Sequence, residues 1–256
     1  MKLKASLISL ALLLLCSTAF GASTSTCYDT DCGLMLHLDS DYTDSSTNTK
    51  TVTDNGDAAI STTAKFGAGS MFVQGTGYIT VPDSDDWNLG TGDFTIEFEW
   101  RRIGNLESTL FELGAAGSDG IRLHWTSSSL QVIINGSTVV TGTIPSEDGS
   151  FHHICLIRTG TTVRLFIDGT QSGSDGTSSA DITGGTSGVT IGAQPGGSSV
   201  VPECYYDEIR IVKGTAVYTA NFVAPSNAYS SCTAPTTATT NYTSCGVGVS
   251  GAYSIY

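Results

Sequence analysis

The sequence predicts an all-β protein, a two-sheet antiparallel β-sandwich of the jelly-roll type. Its 30 glycines, with serine and threonine in nearly every block of ten residues, lower helix propensity and favour turns. Residues 94–100 alternate apolar and polar side chains, as in a strand with one buried and one exposed face. Short apolar segments recur along the chain without an intervening helical pattern, so two stacked sheets are the expected way to cover their apolar sides.

The strands are predicted from apolar segments that turn residues separate. The first segment ends at an acidic loop that begins with Asp39. Asn55-Gly56, Asn135-Gly136, Asp168-Gly169 and Asp175-Gly176 are dipeptides that tolerate positive φ, and they separate later segments. We expect strands at residues 34–38, 70–73, 78–81, 94–102, 109–112, 121–125, 130–134, 138–142, 151–158, 163–168, 189–192 and 204–212.

The charge balance excludes one class of partner. The chain has 24 acidic against 11 basic side chains, a formal net charge of −13. Nucleic-acid backbones are bound by clustered lysine and arginine, so this composition argues against nucleic acid as a partner. Apolar residues make up 39% of the chain, which is enough for a sizeable core and argues against disorder.

The two ends of the chain differ in composition from its middle. Lys2 and Lys4 precede an apolar run and the small-residue site Ala19-Phe20-Gly21, which predicts a signal peptide over residues 1–21. The apolar run is too short to span a membrane, so a secreted or cell-surface protein is expected, with a periplasmic location also possible. We expect the jelly-roll domain over residues 22–225 and a Ser/Thr-rich, disulfide-stapled tail over residues 226–256.

An even number of cysteines follows the predicted signal peptide, which in an oxidising compartment indicates disulfides. These residues are Cys27, Cys32, Cys155, Cys204, Cys232 and Cys245. Their spacing favours pairing within the first two and within the last two, and a bond between the middle two would join two predicted strands. Crossed pairing between the first two and the last two stays open. The alternative for Cys155, which lies in an apolar run, is a free thiol.

Several motifs together resemble the laminin G-like group of the concanavalin A-like lectin/glucanase jelly rolls. The resemblance covers roughly residues 33–225. The motifs are KFGAGSMF (65–72), YITVP (78–82), DFTIEF (93–98), FHHI (151–154), RLFIDG (164–169) and YDEIRI (206–211). It implies the fold strongly and function weakly, because this scaffold hosts lectins, glycosidases, lyases, adhesion modules and structural spacers.

Two glutamates form the candidate catalytic pair. Glu97 and Glu99 project to the same side of one predicted strand, and glycosidases use two such carboxylates. The laminarinase-like signature of the family runs Glu-x-Asp-x-x-Glu, whereas Arg102 stands here in place of the last acid. We therefore expect a solvated strand face and no enzymatic activity.

Acidic loops suggest a structural calcium ion. Asp39, Asp41 and Asp44 place three hard oxygen ligands in one loop, and residues 83–86 place three more in another. The family resemblance suggests an ion where the first and last strands meet, held by Asp39 and Asp207 with backbone carbonyls. The alternative is ordinary Asp-rich turns that accept hydrogen bonds from nearby amides.

Aromatic side chains are candidates for a sugar-binding surface, because a ring face offers apolar contact to a pyranose. Trp100 is expected in the core by its alternation, and Trp87 resembles a family packing residue at the end of the sandwich. Trp125 and Tyr205 remain as the predicted ligand-binding residues.

These observations leave three hypotheses. The first is a secreted non-catalytic module that binds carbohydrate or a glycosylated surface, with a possible structural calcium. The second is a structural or adhesive subunit that forms homo-oligomers, because residues 246–256 could add a strand to the sheet of another copy. The third is a polysaccharide hydrolase that uses Glu97 and Glu99.

Overall fold

The computed structural model describes residues 32–104, 107–115, 117–198 and 203–230. Across these residues the chain forms sixteen strands and one 3-10 helix, Asp85–Trp87. The strands are β1 Cys32–Leu36, β2 Thr53–Asn55, β3 Ala59–Ser61, β4 Ser70–Val73, β5 Tyr78–Val81, β6 Phe94–Arg102, β7 Ser108–Ala115, β8 Asp119–Trp125, β9 Ser129–Ile134, β10 Ser137–Thr143, β11 His152–Thr159, β12 Thr162–Ile167, β13 Thr170–Gln171, β14 Gly176–Thr177, β15 Val189–Ile191 and β16 Cys204–Lys213.

The strands form two antiparallel sheets that pack face to face, which confirms the predicted fold class. The nine-stranded sheet has the order β13-β12-β11-β6-β16-β4-β3, with β1 paired to β16 and β14 paired to β12. The seven-stranded sheet has the order β10-β9-β8-β7-β15-β5-β2. β6 and β16 are neighbours at the centre of the larger sheet, so residues on their outer sides lie together on one broad surface.

The core lies between the sheets and is built from the alternating apolar residues of both. The apolar side of β6, which includes Phe98 and Trp100, is buried together with Trp125 of β8. The rings of Trp100 and Trp125 meet edge to face at 5.5 Å between centroids. Trp87 is also fully buried, and its indole N–H donates to the carbonyl of Pro82 at 2.8 Å.

The outer face of the nine-stranded sheet is partly covered by residues 215–230, which we call the C-terminal strap. The rings of Tyr218 and Phe222 stack at 3.6 Å, and Phe222 packs against Phe166 of β12 at 5.4 Å. Tyr229, which lies beyond the predicted domain boundary at residue 225, is buried against β1 and β16. The chain therefore keeps packing on the sandwich at least as far as Tyr229.

The hairpin turns follow the chemistry of their residues in most cases. Asn135-Gly136 and Asp168-Gly169 both adopt positive φ, as does Gly56. Gly176 does not adopt positive φ, because it is the first residue of β14 and has a strand conformation. β2, β3, β13 and β14 were not predicted, because strands of two or three residues are too short to show an alternating pattern.

The two cysteines predicted to join strands do not bond to each other. Cys155 and Cys204 are both buried free thiols on strands that flank β6. Cys204 points into the core between the sheets, whereas Cys155 points outward under the C-terminal strap. Thiols on opposite faces of a sheet cannot form a disulfide without backbone movement, so the predicted pairing is wrong and the free-thiol alternative holds for Cys155.

Some predictions fall outside the described residues. These are the signal peptide over 1–21, Cys27, Cys232, Cys245 and the candidate strand at 246–256. In the part of the chain that the structure covers, no helix is long and apolar enough to cross a membrane.

Candidate functional site

A β-bulge in β16 determines which side chains reach the outer face of the nine-stranded sheet. The register between β16 and β6 shifts between Asp207 and Arg210, and Glu208 takes a left-handed φ of 48°. The bulge changes the alternation, so Asp207 and Arg210 both face outward although they are three residues apart. Glu208 is held by the imidazole of His37 at 2.9 Å and by the amide of Tyr229, which donates to it at 2.7 Å.

An aromatic and cationic stack occupies one end of this outer face. Tyr205 of β16 lies directly between Phe72 of β4 and Arg101 of β6 in the strand register. Its ring centroid lies 4.8 Å from that of Phe72, and the Arg101 guanidinium lies over it at 5.3 Å. Phe151 approaches Tyr205 from the side at 6.2 Å. All four side chains are partly exposed, so the stack presents ring edges and one guanidinium to solvent.

Next to the stack lies a row of buried acidic groups. Asp207 pairs with Glu99 across the ladder, and Glu99 pairs with His153 of β11 on its other side. Facing residues in such a ladder have Cβ atoms about 4.5–5.5 Å apart, and the row lies about 7 Å from the stack along the strands. Asp207 and Glu99 are 0% and 1% exposed. We call Phe72, Arg101, Tyr205, Glu99 and Asp207 the outer-face site.

The acidic row has hydrogen-bond acceptors without donors. Neither carboxylate oxygen of Glu99 has a hydrogen-bond partner, and neither does Oδ1 of Asp207. The nearest cation, Lys65 Nζ, lies 4.0 Å from Oε2 of Glu99. Burial raises the pKa of Glu99, while His153 and Lys65 lower it in part. A buried acceptor that lacks a donor destabilises the folded protein. A bound molecule that donates hydrogen bonds to this row would remove that penalty.

A third row of residues, two positions from Glu99 along β6, lies beneath the C-terminal strap, and its charged groups pair with one another. Glu97 is fully buried, accepts a hydrogen bond from Nε of Arg210 at 2.8 Å and contacts His153 Nε2 at 3.0 Å. The Arg210 guanidinium also lies over the ring of Tyr229 at 4.2 Å. Burial alone would raise the pKa of Glu97, but Arg210 and His153 lower it to about 2. Glu97 is therefore an ionised structural group.

The expectation that Glu97 and Glu99 lie on a solvated strand face is wrong. Both side chains project to the same outer face, as predicted, but both are buried. A cross-strand cation, Arg210 of β16, pairs with Glu97. The pair cannot work as two free carboxylates, because Glu97 is committed to Arg210 and His153. Within the described residues, the free acceptors opposite Glu99 belong to Asp207.

One turn connects the acidic row to the first predicted calcium loop. The backbone amides of Lys65 and Phe66 donate to Oδ2 of Asp207 at 2.8 and 3.0 Å. The amide of Ala68 donates to Oδ1 of Asp39 at 2.5 Å. The two aspartates that the family resemblance grouped as calcium ligands therefore hold opposite ends of the same turn.

The remaining predicted calcium ligands also accept hydrogen bonds from the protein. Asp41 accepts from the amide of Thr43 at 2.8 Å, as in an ordinary Asx turn. Both oxygens of Asp44 are occupied by donors from Met35, Ser46 and Lys50. Across the described ranges, no three His, Cys, Asp or Glu side chains converge as a metal site requires. These carboxylates thus do not fit a shared calcium ion in the described arrangement, and calcium binding stays a prediction.

The second acidic loop is a capped turn. Ser84 precedes the 3-10 helix, and its hydroxyl accepts from the amide of Asp86 at 3.2 Å. Lys50 Nζ pairs with Asp86 at 2.6 Å. Asp83 and Asp85 line a polar surface pocket with Asn88 and other residues, none of which belongs to the outer-face site.

The two predicted ligand-binding aromatics have different environments. Trp125 is 0% exposed and packs in the core, so the prediction that it contacts a ligand is wrong. Ile121 and Leu123 are buried with it while the residues between them face outward, and that alternation was visible in the sequence. Tyr205 is partly exposed in the outer-face site, although Phe72 and Arg101 cover its two ring faces. Its contribution to binding is therefore an edge and a hydroxyl rather than an open platform.

Changing Asp207 to asparagine should stabilise the protein at pH 8 and have little effect near pH 4. Burial raises the pKa of Asp207 to about 7, helped by Glu208 and opposed by the amides of Phe66 and Lys65. The folded state thus holds this proton more tightly than the unfolded state, and stability falls as pH rises from about 4 to about 7. Asparagine cannot ionise and keeps an oxygen for the two amides. We expect a gain of about 1–3 kcal/mol in the free energy of unfolding at pH 8.

Urea unfolding at both pH values measures this effect. The matched control is Asp44→Asn, since Asp44 is also buried but has donors on both oxygens. That variant should be less stable than the parent protein at pH 8. An Asp207→Asn variant that loses stability at pH 8 as much as Asp44→Asn does would contradict the raised pKa.

Comparison with known proteins agrees with this architecture. A sequence model described as the concanavalin A-like lectin/glucanases superfamily (Laminin_G_3) matches residues 73–217. A comparison with curated protein sequences found no significant match. The match includes β5 to β16, and therefore all of the outer-face site except Phe72.

Solved structures with a similar fold include toxin binding domains. The binding domain of Paraclostridial Mosquitocidal Protein 1 is 14% identical with a TM-score of 0.57, and the alignment covers 73% of this chain and 50% of that one. The botulinum neurotoxin serotype G binding domain is 13% identical with a TM-score of 0.56, covering 72% and 48%. Botulinum neurotoxin type C, whose cell entry depends on interaction with two ganglioside molecules, is 13% identical with a TM-score of 0.57, covering 73% and 49%. This chain thus spans about half the length of each.

Proposed function

The chain belongs to the concanavalin A-like lectin/glucanase superfamily, and we propose that it is a secreted, non-catalytic module that binds carbohydrate on the outer-face site. The observation that carries this proposal is the pair of buried carboxylates with unpartnered oxygens beside a partly exposed aromatic stack. Sugar-binding sites combine apolar contact to the ring with polar groups that fix its hydroxyls. The partner is a free glycan or a glycosylated surface.

The polar half of the site supports a donor-rich ligand. Oε1 and Oε2 of Glu99 and Oδ1 of Asp207 can accept hydroxyl hydrogens, and Arg101 Nε has no hydrogen-bond partner. Leaving buried acceptors without donors raises the free energy of the unbound protein. A sugar that supplies these donors would remove that penalty and so favour the bound state.

The predicted catalytic pair, Glu97 and Glu99, does not support hydrolysis. A glycosidase needs one carboxyl group as the acid and a second as the nucleophile or base. Glu97, the predicted second carboxylate, is fixed by Arg210 and His153 under the C-terminal strap. A bound oligosaccharide should therefore be recovered at its original length after prolonged incubation with the protein, which chromatography of the mixture measures. Shortened products that disappear in the Glu99→Gln variant would mean that the domain is an enzyme.

Replacing Tyr205 with alanine should weaken glycan binding by about tenfold, because the stack loses its central ring. A glycan array on the exported protein identifies a ligand, and calorimetry then measures its affinity for each variant. Tyr78→Ala is the matched control: Tyr78 is half-buried on β5 in the seven-stranded sheet, away from the outer-face site. We expect that variant to bind like the parent protein.

Three outcomes would contradict the proposal. The parent protein could bind no glycan at millimolar concentration. Tyr205→Ala could bind as well as the parent does. Tyr78→Ala could lose more affinity than Tyr205→Ala, which would move the binding surface to the other sheet.

A further inference from the structure

The acidic row distinguishes among sugars, because its two facing carboxyl groups offer oxygens that no donor in the described residues satisfies. Three oxygens on two facing carboxylates lack donors, and both side chains are more than nine-tenths buried. His153 Nδ1, on the neighbouring strand, is also buried and unpartnered. This arrangement calls for a ligand group that supplies several hydrogens and positive charge at one point. A neutral hydroxyl supplies a single hydrogen and no charge.

The cations already near the row are engaged elsewhere or too far away for a hydrogen bond. Arg210 is bound to Glu97 in the next row, and Arg101 stacks on Tyr205. Lys65 lies 4.0 Å from Glu99 Oε2, beyond hydrogen-bond distance, and its side chain is 36% exposed. Lys65 therefore lowers the pKa of Glu99 in part without occupying its acceptors.

We propose that the outer-face site selects sugars with a free amino group, whose ammonium binds between Glu99 and Asp207 while the ring lies against the Tyr205 stack. This inference rests on the proposed function and names the ligand class of that same site. An ammonium has three N–H donors, which matches the three unpartnered oxygens in number. The net charge of −13 attracts a cationic sugar from a distance and repels an acidic one.

The spacing of the two rows matches the size of one sugar ring. The carboxylate row and the aromatic row are two residues apart along β6 and β16, or about 7 Å by strand rise. A pyranose ring of similar width can contact the edge of Tyr205 with one side and direct a substituent at the carboxylates with the other. An N-acetyl group in that place would remove the charge and two of the three donors, so acetylation should abolish the preference.

The test compares three β-1,4-linked tetrasaccharides of similar shape by calorimetry at low ionic strength and at pH 7, where Asp207, with its pKa of about 7, is about half ionised. They are the tetramers of glucosamine, N-acetylglucosamine and glucose. We expect the glucosamine tetramer to bind at least about tenfold more tightly than the other two. In Glu99→Gln that preference should fall to within about threefold, and in Lys65→Met it should increase, because a competing cation is removed.

A matched control separates this site from general attraction between a polycation and an acidic protein. Glu112→Gln makes the same charge change on the seven-stranded sheet, where Glu112 is paired with Arg122 at 2.7 Å. It should leave the glucosamine preference unchanged. A preference that falls equally in Glu112→Gln and Glu99→Gln would overturn the proposal, as would a Lys65→Met variant that loses it. Thermal unfolding checks that all variants are folded.

The outcomes also separate this inference from the proposed function. Equal binding of all three tetramers would overturn the amine preference and leave carbohydrate binding at the site intact. Tighter binding of an oligouronate than of the glucosamine tetramer would also overturn it and would assign recognition to Arg101 and Lys65. Binding of no sugar at millimolar concentration would overturn both proposals together.

Discussion

Replacing Arg210 with methionine should lower the free energy of unfolding at pH 7 by about 3–5 kcal/mol. Glu97 is 0% exposed, and the guanidinium of Arg210 supplies its principal opposite charge across the ladder. Methionine fills much of the same space but leaves a buried carboxylate with His153 as its remaining partner at 3.0 Å. Breaking one side of a buried ion pair costs more than the pair itself contributes, because the other charge stays desolvated.

The double variant Glu97→Gln/Arg210→Met controls for packing. Removing both charges should recover most of the stability that the single variant loses, as measured by urea unfolding. The deficit of Arg210→Met should also shrink as the pH falls. The depressed pKa of Glu97, about 2, gives the parent protein stability above about pH 4.5 that is lost as Glu97 becomes protonated. A loss below about 1 kcal/mol in the single variant would contradict the buried pair.

Replacing Trp125 with alanine should lower the free energy of unfolding by about 3–5 kcal/mol, because it leaves a large cavity in the core. Trp125 is fully buried, and its ring meets that of Trp100 at 5.5 Å. The affinity of the folded fraction for a glycan should stay close to that of the parent, because Trp125 lies on the opposite side of the nine-stranded sheet from the outer-face site. Urea unfolding measures the first effect and calorimetry the second.

Tyr205→Ala is the matched control for this variant. It removes a partly exposed aromatic ring, so it should cost less than about 1.5 kcal/mol of stability while weakening binding. Trp125→Ala should therefore lower stability and leave affinity unchanged, whereas Tyr205→Ala should lower affinity with a smaller effect on stability. A Trp125→Ala variant that is as stable as the parent but no longer binds glycan would restore the sequence-based prediction that Trp125 contacts the ligand.

The sequence predicted the fold well wherever alternation was long enough to see. The bounds predicted for β4, β5 and β6 agree with the structure, because apolar residues at every second position define both a strand and its buried side. The error at Trp125 was avoidable, since β8 shows the same alternation. The apolar residues two and four positions before Trp125 indicate that its side chain faces the core.

The candidate site was harder to predict because it depends on two nonlocal features. The bulge at Glu208 brings Arg210 opposite Glu97 while Asp207 stays opposite Glu99, and no property of the segment 204–213 indicates an inserted residue. The C-terminal strap buries Glu97, although residues 215–230 have no strand pattern that would indicate packing on a sheet. Sequence reasoning therefore identified Glu97, Glu99, Asp207 and Tyr205 one by one, but assigned them to three different sites.

The most direct test is to map the bound sugar on the isotope-labelled protein by NMR, using the tetrasaccharide of highest affinity. We expect the largest amide shift changes along β6 and β16, centred on Glu99, Arg101, Tyr205 and Asp207. Changes concentrated on the outer side of β5, β7 and β15, or in the loops at one end of the two sheets, would mean that the sugar binds elsewhere on this fold.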